Sequence, residues 1–161
     1  MIKVIDNFLP TEDFLNIKNS IESPYFDWYF NTSVVGYKEH LRSGQFTHTF
    51  YYKYGTRNSF VVLDKLIKKI NPISIIRIKA NLSYIGDSIS EHGLHTDFDD
   101  KRITTGIFYI NNNNGYTKFE NNKIVESVEN RFVSFNCSLK HTGTNCTNAQ
   151  RRIVLNLNYI L

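Results

Sequence analysis

A mainly β fold, a sandwich or jelly roll with helices packed outside it, is what this sequence predicts. Two helical patterns fall within the first 70 residues and none after. Beyond them nearly every segment alternates or is rich in β-branched residues, and Asn- and Gly-containing pairs punctuate the segments as tight turns would.

The elements follow in order. "VID" reads as a short opening strand, and Thr11 stands as the N-cap of a first helix. Glu12 and Asp13 suit its first turn, Phe14, Ile17 and Ile21 give an apolar stripe, and Pro24 follows its end. A second helix, about Asn58 to Ile70, carries Phe60, Leu63, Ile67 and Ile70 and stops at Asn71-Pro72. "GQFTHTFYY" alternates, with Phe46, His48, Phe50 and Tyr52 on one face, and His48 reads as a packed residue there. "ISIIRIKANLSY", "RITTGIFYI", "RFVSF" and "RRIVLNLNYI" read as further strands. Asn114-Gly115 predicts a hairpin turn between "IFYIN" and "YTKFE", and Asn121-Asn122 a second.

Composition narrows the class. The 161 residues, 41% hydrophobic and 14% aromatic, suit a single globular domain spanning 1–161. No apolar run approaches a membrane span. "MIKVIDNFLP" has no cationic leader ahead of an apolar stretch, so an intracellular, cytoplasmic protein is expected, with Cys137 and Cys146 as free thiols. The net charge of +4 is scattered; "KLIKK" lies on the second helix as a solvated face, and no nucleic-acid signal stands out.

The chemistry concentrates in "EHGLHTDFDD", Glu91 to Asp100. On a strand His95 and Asp97 point to the same face, about 7 Å apart, whereas on a helix they would diverge. His141, 44 positions beyond Asp97 and directly after the strand "RFVSFN", is the candidate third ligand. Two histidines and one carboxylate make a facial triad that leaves three positions of an octahedron open, as iron(II) oxygenases use. Zinc with the same ligands and a water is the competing, hydrolytic chemistry. His92 is expected to border the substrate mouth or face water, Asp99 and Asp100 to cap the turn after it, and Cys146 to lie in a loop as a passive thiol.

Ten and eleven residues past His141 stand Arg151 and Arg152. A dicarboxylate co-substrate would need one planar cation to pair with its far carboxylate. The two arginines point to opposite faces of the last strand. Arg152 shares its side with Val154, Asn156 and Asn158, a mixed face, while Ile153, Leu155 and Leu157 make the other side purely apolar. Arg152 is therefore favoured.

In this order "HTD", "IFYIN", "NGYTKFE", "ENRFVSF", "KHTGTNCT" and "RRIVLNLNY" resemble the iron(II)- and 2-oxoglutarate-dependent dioxygenases. The likeness is to the prolyl-4-hydroxylase-like branch, including small versions carried by bacteriophages, and "VIDNFLPTEDF" and "FDWYF" extend it over nearly the whole chain. The resemblance implies a double-stranded β-helix core over about 73–161, supported by about 1–72. It implies iron(II) on His95, Asp97 and His141, with 2-oxoglutarate and dioxygen consumed as a C–H bond is hydroxylated and succinate and CO2 are released. It implies Arg152 on the distal carboxylate of 2-oxoglutarate, with Tyr109, Thr117 and Tyr84 lining the same pocket; the loop after Tyr84 is longer than the family's usual one. Residues Asp27 to Arg57 would wall the substrate groove. A peptidyl proline is the leading substrate by analogy, beside a free amino acid, another protein side chain or a nucleobase. A zinc-dependent hydrolase and a catalytically silent jelly-roll binding module are the readings from other classes.

Overall fold

The computed structural model describes residues 1–32, 44–53, 55, 56 and 58–161. Helix α1, Thr11–Glu22, buries Phe14, Ile17 and Ile21 as its spacing requires. Thr11 is its first helical residue and not its N-cap. Pro10 takes the cap position in an extended conformation, and its carbonyl accepts the first helical bond, from the Phe14 N–H at 3.0 Å. Ser23 is extended, as a residue before proline must be, and the helix ends there.

The second helical pattern divides in two. Asn58–Leu63 is a 3₁₀ helix, and only Asp64–Ile70 (α2) is an α-helix. The β-branched pair Val61-Val62 falls in the tighter part, where it weakens an α-helix least. Asn71, left-handed at φ 53°, closes α2 by returning its N–H to the Ile67 carbonyl at 2.8 Å.

Eleven strands are described: β1 Lys3–Ile5, β2 Tyr29–Asn31, β3 Gln45–Tyr52, β4 Gly55–Thr56, β5 Ser74–Tyr84, β6 Thr104–Tyr109, β7 Tyr116–Phe119, β8 Ile124–Glu126, β9 Phe132–Asn136, β10 His141–Gly143 and β11 Arg151–Ile160. The large antiparallel sheet runs β1-β9-β6-β11-β5-β3-β2, with β4 paired to β3; a small sheet runs β10-β7-β8. The small sheet is extended towards the start of the chain by isolated bridges, Glu91 to Thr144 and His95 to His141.

Asn121-Asn122 forms the expected hairpin turn: β7 and β8 pair across it, and Asn122 has φ 62°. Asn114-Gly115 does not. β6 pairs with β9 and β11, β7 with β10 and β8, so the chain between them crosses from one sheet to the other. Asn114 is held instead by Asn148 and Thr147, and a Cβ at Gly115 would fall on the Asn145 carbonyl and on Arg152 Cδ. The glycine is there for close approach, not for turn geometry.

Alternation then sorts the side chains of the large sheet. Ile78, Ala80 and Leu82 of β5, Phe108 of β6, and Ile153, Leu155 and Leu157 of β11 face the helices in one core with Phe14, Ile17, Ile21, Leu63 and Leu66. The other face looks towards the small sheet. Ile107, Tyr109, Phe119, Val125, Val133 and Phe135 fill part of that interior with a second core. The rest is a cavity of about 280 Å³ lined by polar residues of β5 and β11.

Candidate metal centre

The two proposed histidine ligands are fixed by backbone pairing before any metal enters. His95 and His141 exchange backbone hydrogen bonds, His95 N to His141 O at 3.0 Å and His141 N to His95 O at 2.9 Å. That pairing brings their ring centroids to 4.7 Å, although 46 residues separate them in sequence. Asp97 follows two positions on. One ligand atom from each of the three lies within 4.8 Å of the others.

The donor set fits a divalent cation. Nδ1 of His95 lies 3.1 Å from the Gly93 carbonyl, and Nδ1 of His141 lies 3.1 Å from the Leu139 carbonyl. Both Nδ1 atoms therefore carry the proton and donate, leaving each Nε2 with a free lone pair. The Asp97 side chain is only 4% exposed, yet it is held as a carboxylate. Burial pushes its pKa up. Arg77, the neighbouring His141, and hydrogen bonds from Asn158 and Thr105 outweigh that and bring it to about 2. Its Oδ2 accepts from Thr105 Oγ1 at 2.8 Å, Asn158 Nδ2 at 2.9 Å and Asn156 Nδ2 at 3.3 Å. Among the described residues Oδ1 accepts only from Arg77, at 2.9 Å, and keeps a lone pair for an ion. Burial, only partly offset by Asp97, pushes the His141 pKa down, so its imidazole is neutral as a ligand must be.

The other end of the cavity is built around Arg152. It is 5% exposed, its Nε donates to Ser127 Oγ at 2.8 Å, and its guanidinium lies 5.7 Å from the Tyr109 ring centre. Thr117 lies 3.3 Å from an Arg152 nitrogen and accepts the Tyr109 hydroxyl proton at 2.8 Å. Among the described residues no carboxylate pairs with Arg152, and burial lowers its pKa. A buried guanidinium with no carboxylate partner among the described residues, lining a cavity, suits the far carboxylate of a bound acid.

The remaining sequence candidates separate clearly. Arg152 lines the cavity, whereas Arg151 leaves it for the helix side, with Glu22 at 3.4 Å. Thr117 lines the cavity; Tyr109 stands just behind, fully buried. Tyr84 lies elsewhere. It shares the β5 face of Leu82 and Ala80, is 57% exposed, and meets the edge of Phe46. The cavity position belongs to its neighbour Ser83, because the strand keeps its alternation up to the loop. His92 lines the cavity, as its place at the mouth suggested. Glu91 turns outward to Lys118 and Tyr116, and Asp100 holds the following turn through Arg102. His48 is packed against Phe26 and Phe50, and Cys137 and Cys146 are buried free thiols. Of the expected substrate wall, residues 33–43, 54 and 57 lie outside the described residues.

Sequence reasoning passed over Arg77, Lys79, Asn81 and Ser83. They were visible as the polar half of "RIKANLS", each two positions apart on one strand face. Thr105 and Ser127, which orient Asp97 and Arg152, left no pattern at all.

No family model matches the sequence, and no curated protein matches it. Solved structures do. A prolyl hydroxylase from Trichoplax adhaerens, in complex with a hypoxia inducible factor oxygen degradation domain peptide fragment, aligns with TM-score 0.70 at 12% identity, covering 99% of this chain and 83% of that one. An oxidoreductase of the 2OG-Fe(II) oxygenase family from Burkholderia pseudomallei aligns with TM-score 0.69 at 10% identity, over 99% and 84%. The chain has the fold of the 2OG-Fe(II) oxygenases. HygX from Streptomyces hygroscopicus, solved with nickel and 2-oxoglutarate bound, shares that oxygenase fold at TM-score 0.64 and 9% identity, over 99% and 82%. The jelly-roll expectation is met, and among the described residues no helix is long and apolar enough to cross a membrane.

Proposed function

We propose that the protein is an iron(II)- and 2-oxoglutarate-dependent dioxygenase that hydroxylates an unactivated C–H bond. The observation that carries this is the pairing, in one cavity, of a three-ligand cluster with a buried, carboxylate-free arginine. A hydrolase on the same ligands has no use for the buried Arg152 in the cavity, and a silent binding module has no use for a carboxylate held ionised by four donors.

His95, Asp97 and His141 would hold the iron, and Arg152 with Thr117 would hold the distal carboxylate of 2-oxoglutarate. Bound iron and 2-oxoglutarate supply the oxidising power: dioxygen gives one oxygen atom to succinate, formed with CO2, and the other to the C–H bond. The chain's own part is placement. Thr105, Asn156 and Asn158 fix one oxygen of Asp97 and Arg77 steadies the other. Ile107 and Val154 supply apolar wall around the reacting centre, which limits water there. A prolyl residue is the substrate class supported by the likeness to prolyl hydroxylases, one of them holding a peptide.

The test is succinate formation from 2-oxoglutarate by purified protein in air with iron(II) and ascorbate, with and without prolyl peptides. Turnover dependent on iron and lost in Asp97→Ala supports the reading. Metal-bound protein that forms no succinate under any condition, yet hydrolyses ester or amide probes with zinc, would replace it with the hydrolase.

A further inference from the structure

The cavity holds one charged group that the proposed reaction does not use. Among the described residues its charged lining is Arg77, Lys79, Asp97 and Arg152, three cations against one carboxylate. A divalent ion and a dicarboxylate co-substrate cancel each other, so two positive charges persist in the loaded site. Arg77 is engaged: it donates to Asp97 Oδ1 and, through Nε, to Asn158 Oδ1 at 3.0 Å. Arg152 awaits the co-substrate. Lys79 has neither role, and among the described residues its ammonium has no hydrogen-bond or ion-pair partner.

Its position separates it from the co-substrate anchor. In the register of β5 and β11, Arg152 stands opposite Ser83, and Lys79 stands opposite Asn156, which itself donates to Asp97. Four residues along a strand is about 13 Å, so Lys79 belongs to the metal end and not to the Arg152 end. Two acceptors flank it: Asn156 Oδ1, directly opposite, and Asn81 Oδ1, next on the same face of β5, are buried and have no hydrogen-bond partner among the described residues. A lone ammonium beside two idle carbonyl oxygens matches a ligand that pairs an acid group with an N–H donor.

We propose that Lys79 is a specificity-determining residue that binds a carboxylate of the molecule being hydroxylated, an amino or imino acid that is free or chain-terminal, with its nitrogen towards Asn81 and Asn156. This rests on the oxygenase reading and narrows its substrate: an internal prolyl residue brings no charge to Lys79, whereas free proline or a C-terminal residue does. Burial, reinforced by Arg77, lowers the Lys79 pKa to about 8 despite Asp97, so the group is cationic at neutral pH and gains from an arriving anion.

The experiment is calorimetric titration of the anaerobic iron(II)–2-oxoglutarate complex with free L-amino acids including L-proline, their carboxamides, and an internal prolyl peptide blocked at both ends. Wild type, Lys79→Met and Lys79→Arg are compared. At least one free acid should bind wild type about tenfold or more tighter than its carboxamide. Lys79→Met should erase that preference, Lys79→Arg should retain part of it, and 2-oxoglutarate affinity should be unchanged in both. The proposal is overturned if the carboxamide or the blocked peptide binds as well as the acid, if Lys79→Met keeps the preference, or if no free acid binds at millimolar concentration. A fall in 2-oxoglutarate affinity in Lys79→Met would assign the lysine to the co-substrate instead. Failure of wild type to bind 2-oxoglutarate at all would overturn the oxygenase reading and this proposal with it.

Discussion

The two faces of the large sheet are made by the same strands and do opposite work. On β11, Ile153, Leu155 and Leu157 pack under the helices, while Arg152, Val154 and Asn156 look into the cavity. On β5, Ile78, Ala80 and Leu82 face the helices, while Arg77, Lys79, Asn81 and Ser83 face the cavity. The helix side earns stability from apolar burial. The cavity side holds three cations and a carboxylate; Arg152 and the Asp97 side chain are buried there, and burying charge costs stability unless each group finds a partner. The fold's period-2 alternation lets one face of the sheet hold the frame while its reverse face lines the cavity with polar and charged groups.

The contrast breaks if substitutions on the two faces report the same quantity. The largest effect is expected from Leu155→Ala: a loss of about 2–5 kcal/mol in denaturant unfolding, with metal affinity unchanged. Arg152→Met should do the reverse, lowering 2-oxoglutarate affinity about 10²-fold or more with little change in unfolding. Thr105→Val, which removes one hydrogen bond to Asp97 Oδ2, should weaken iron(II) binding about tenfold, measured by competition with a chelating dye.

A pH experiment sharpens the same contrast. Burial, with Arg152 and His95 nearby, pushes the His92 pKa down to about 4, and burial lowers that of His141. In metal-free protein the folded state therefore binds fewer protons than the unfolded chain, whose histidines titrate near about 6.5. Stability from these groups is complete above about pH 6.5 and is lost as pH falls towards about 4. The Tm of chelator-treated wild type should drop over that range, and less so in His92→Gln. The smallest effect belongs to Arg151→Met, which should change unfolding by no more than about 0.5 kcal/mol and leave 2-oxoglutarate affinity alone.

Much of this was legible in the sequence because alternation and ligand spacing are local. His95, Asp97 and His141 could be read from strand geometry and chain order, and Arg152 was separable from Arg151 by the company each keeps on β11. What could not be read depends on where distant segments meet. Asn114-Gly115 carries the local signature of a hairpin, yet the strands on either side pair in different sheets. Tyr84 has a pocket residue's spacing, but the longer loop leaves Ser83 in the inward register. Thr11 precedes a helical pattern as a cap would, and Pro10 takes the position because its ring already sets the required backbone angle.

The most direct measurement is an anaerobic titration of the metal-free protein with iron(II) and then 2-oxoglutarate, following the visible charge-transfer band, beside Asp97→Ala and Arg152→Ala. A band that saturates at one equivalent in wild type, vanishes in Asp97→Ala and needs far more 2-oxoglutarate in Arg152→Ala is the expected result. Bound iron with no band on adding 2-oxoglutarate, or a band unaffected by either substitution, would contradict the site described here.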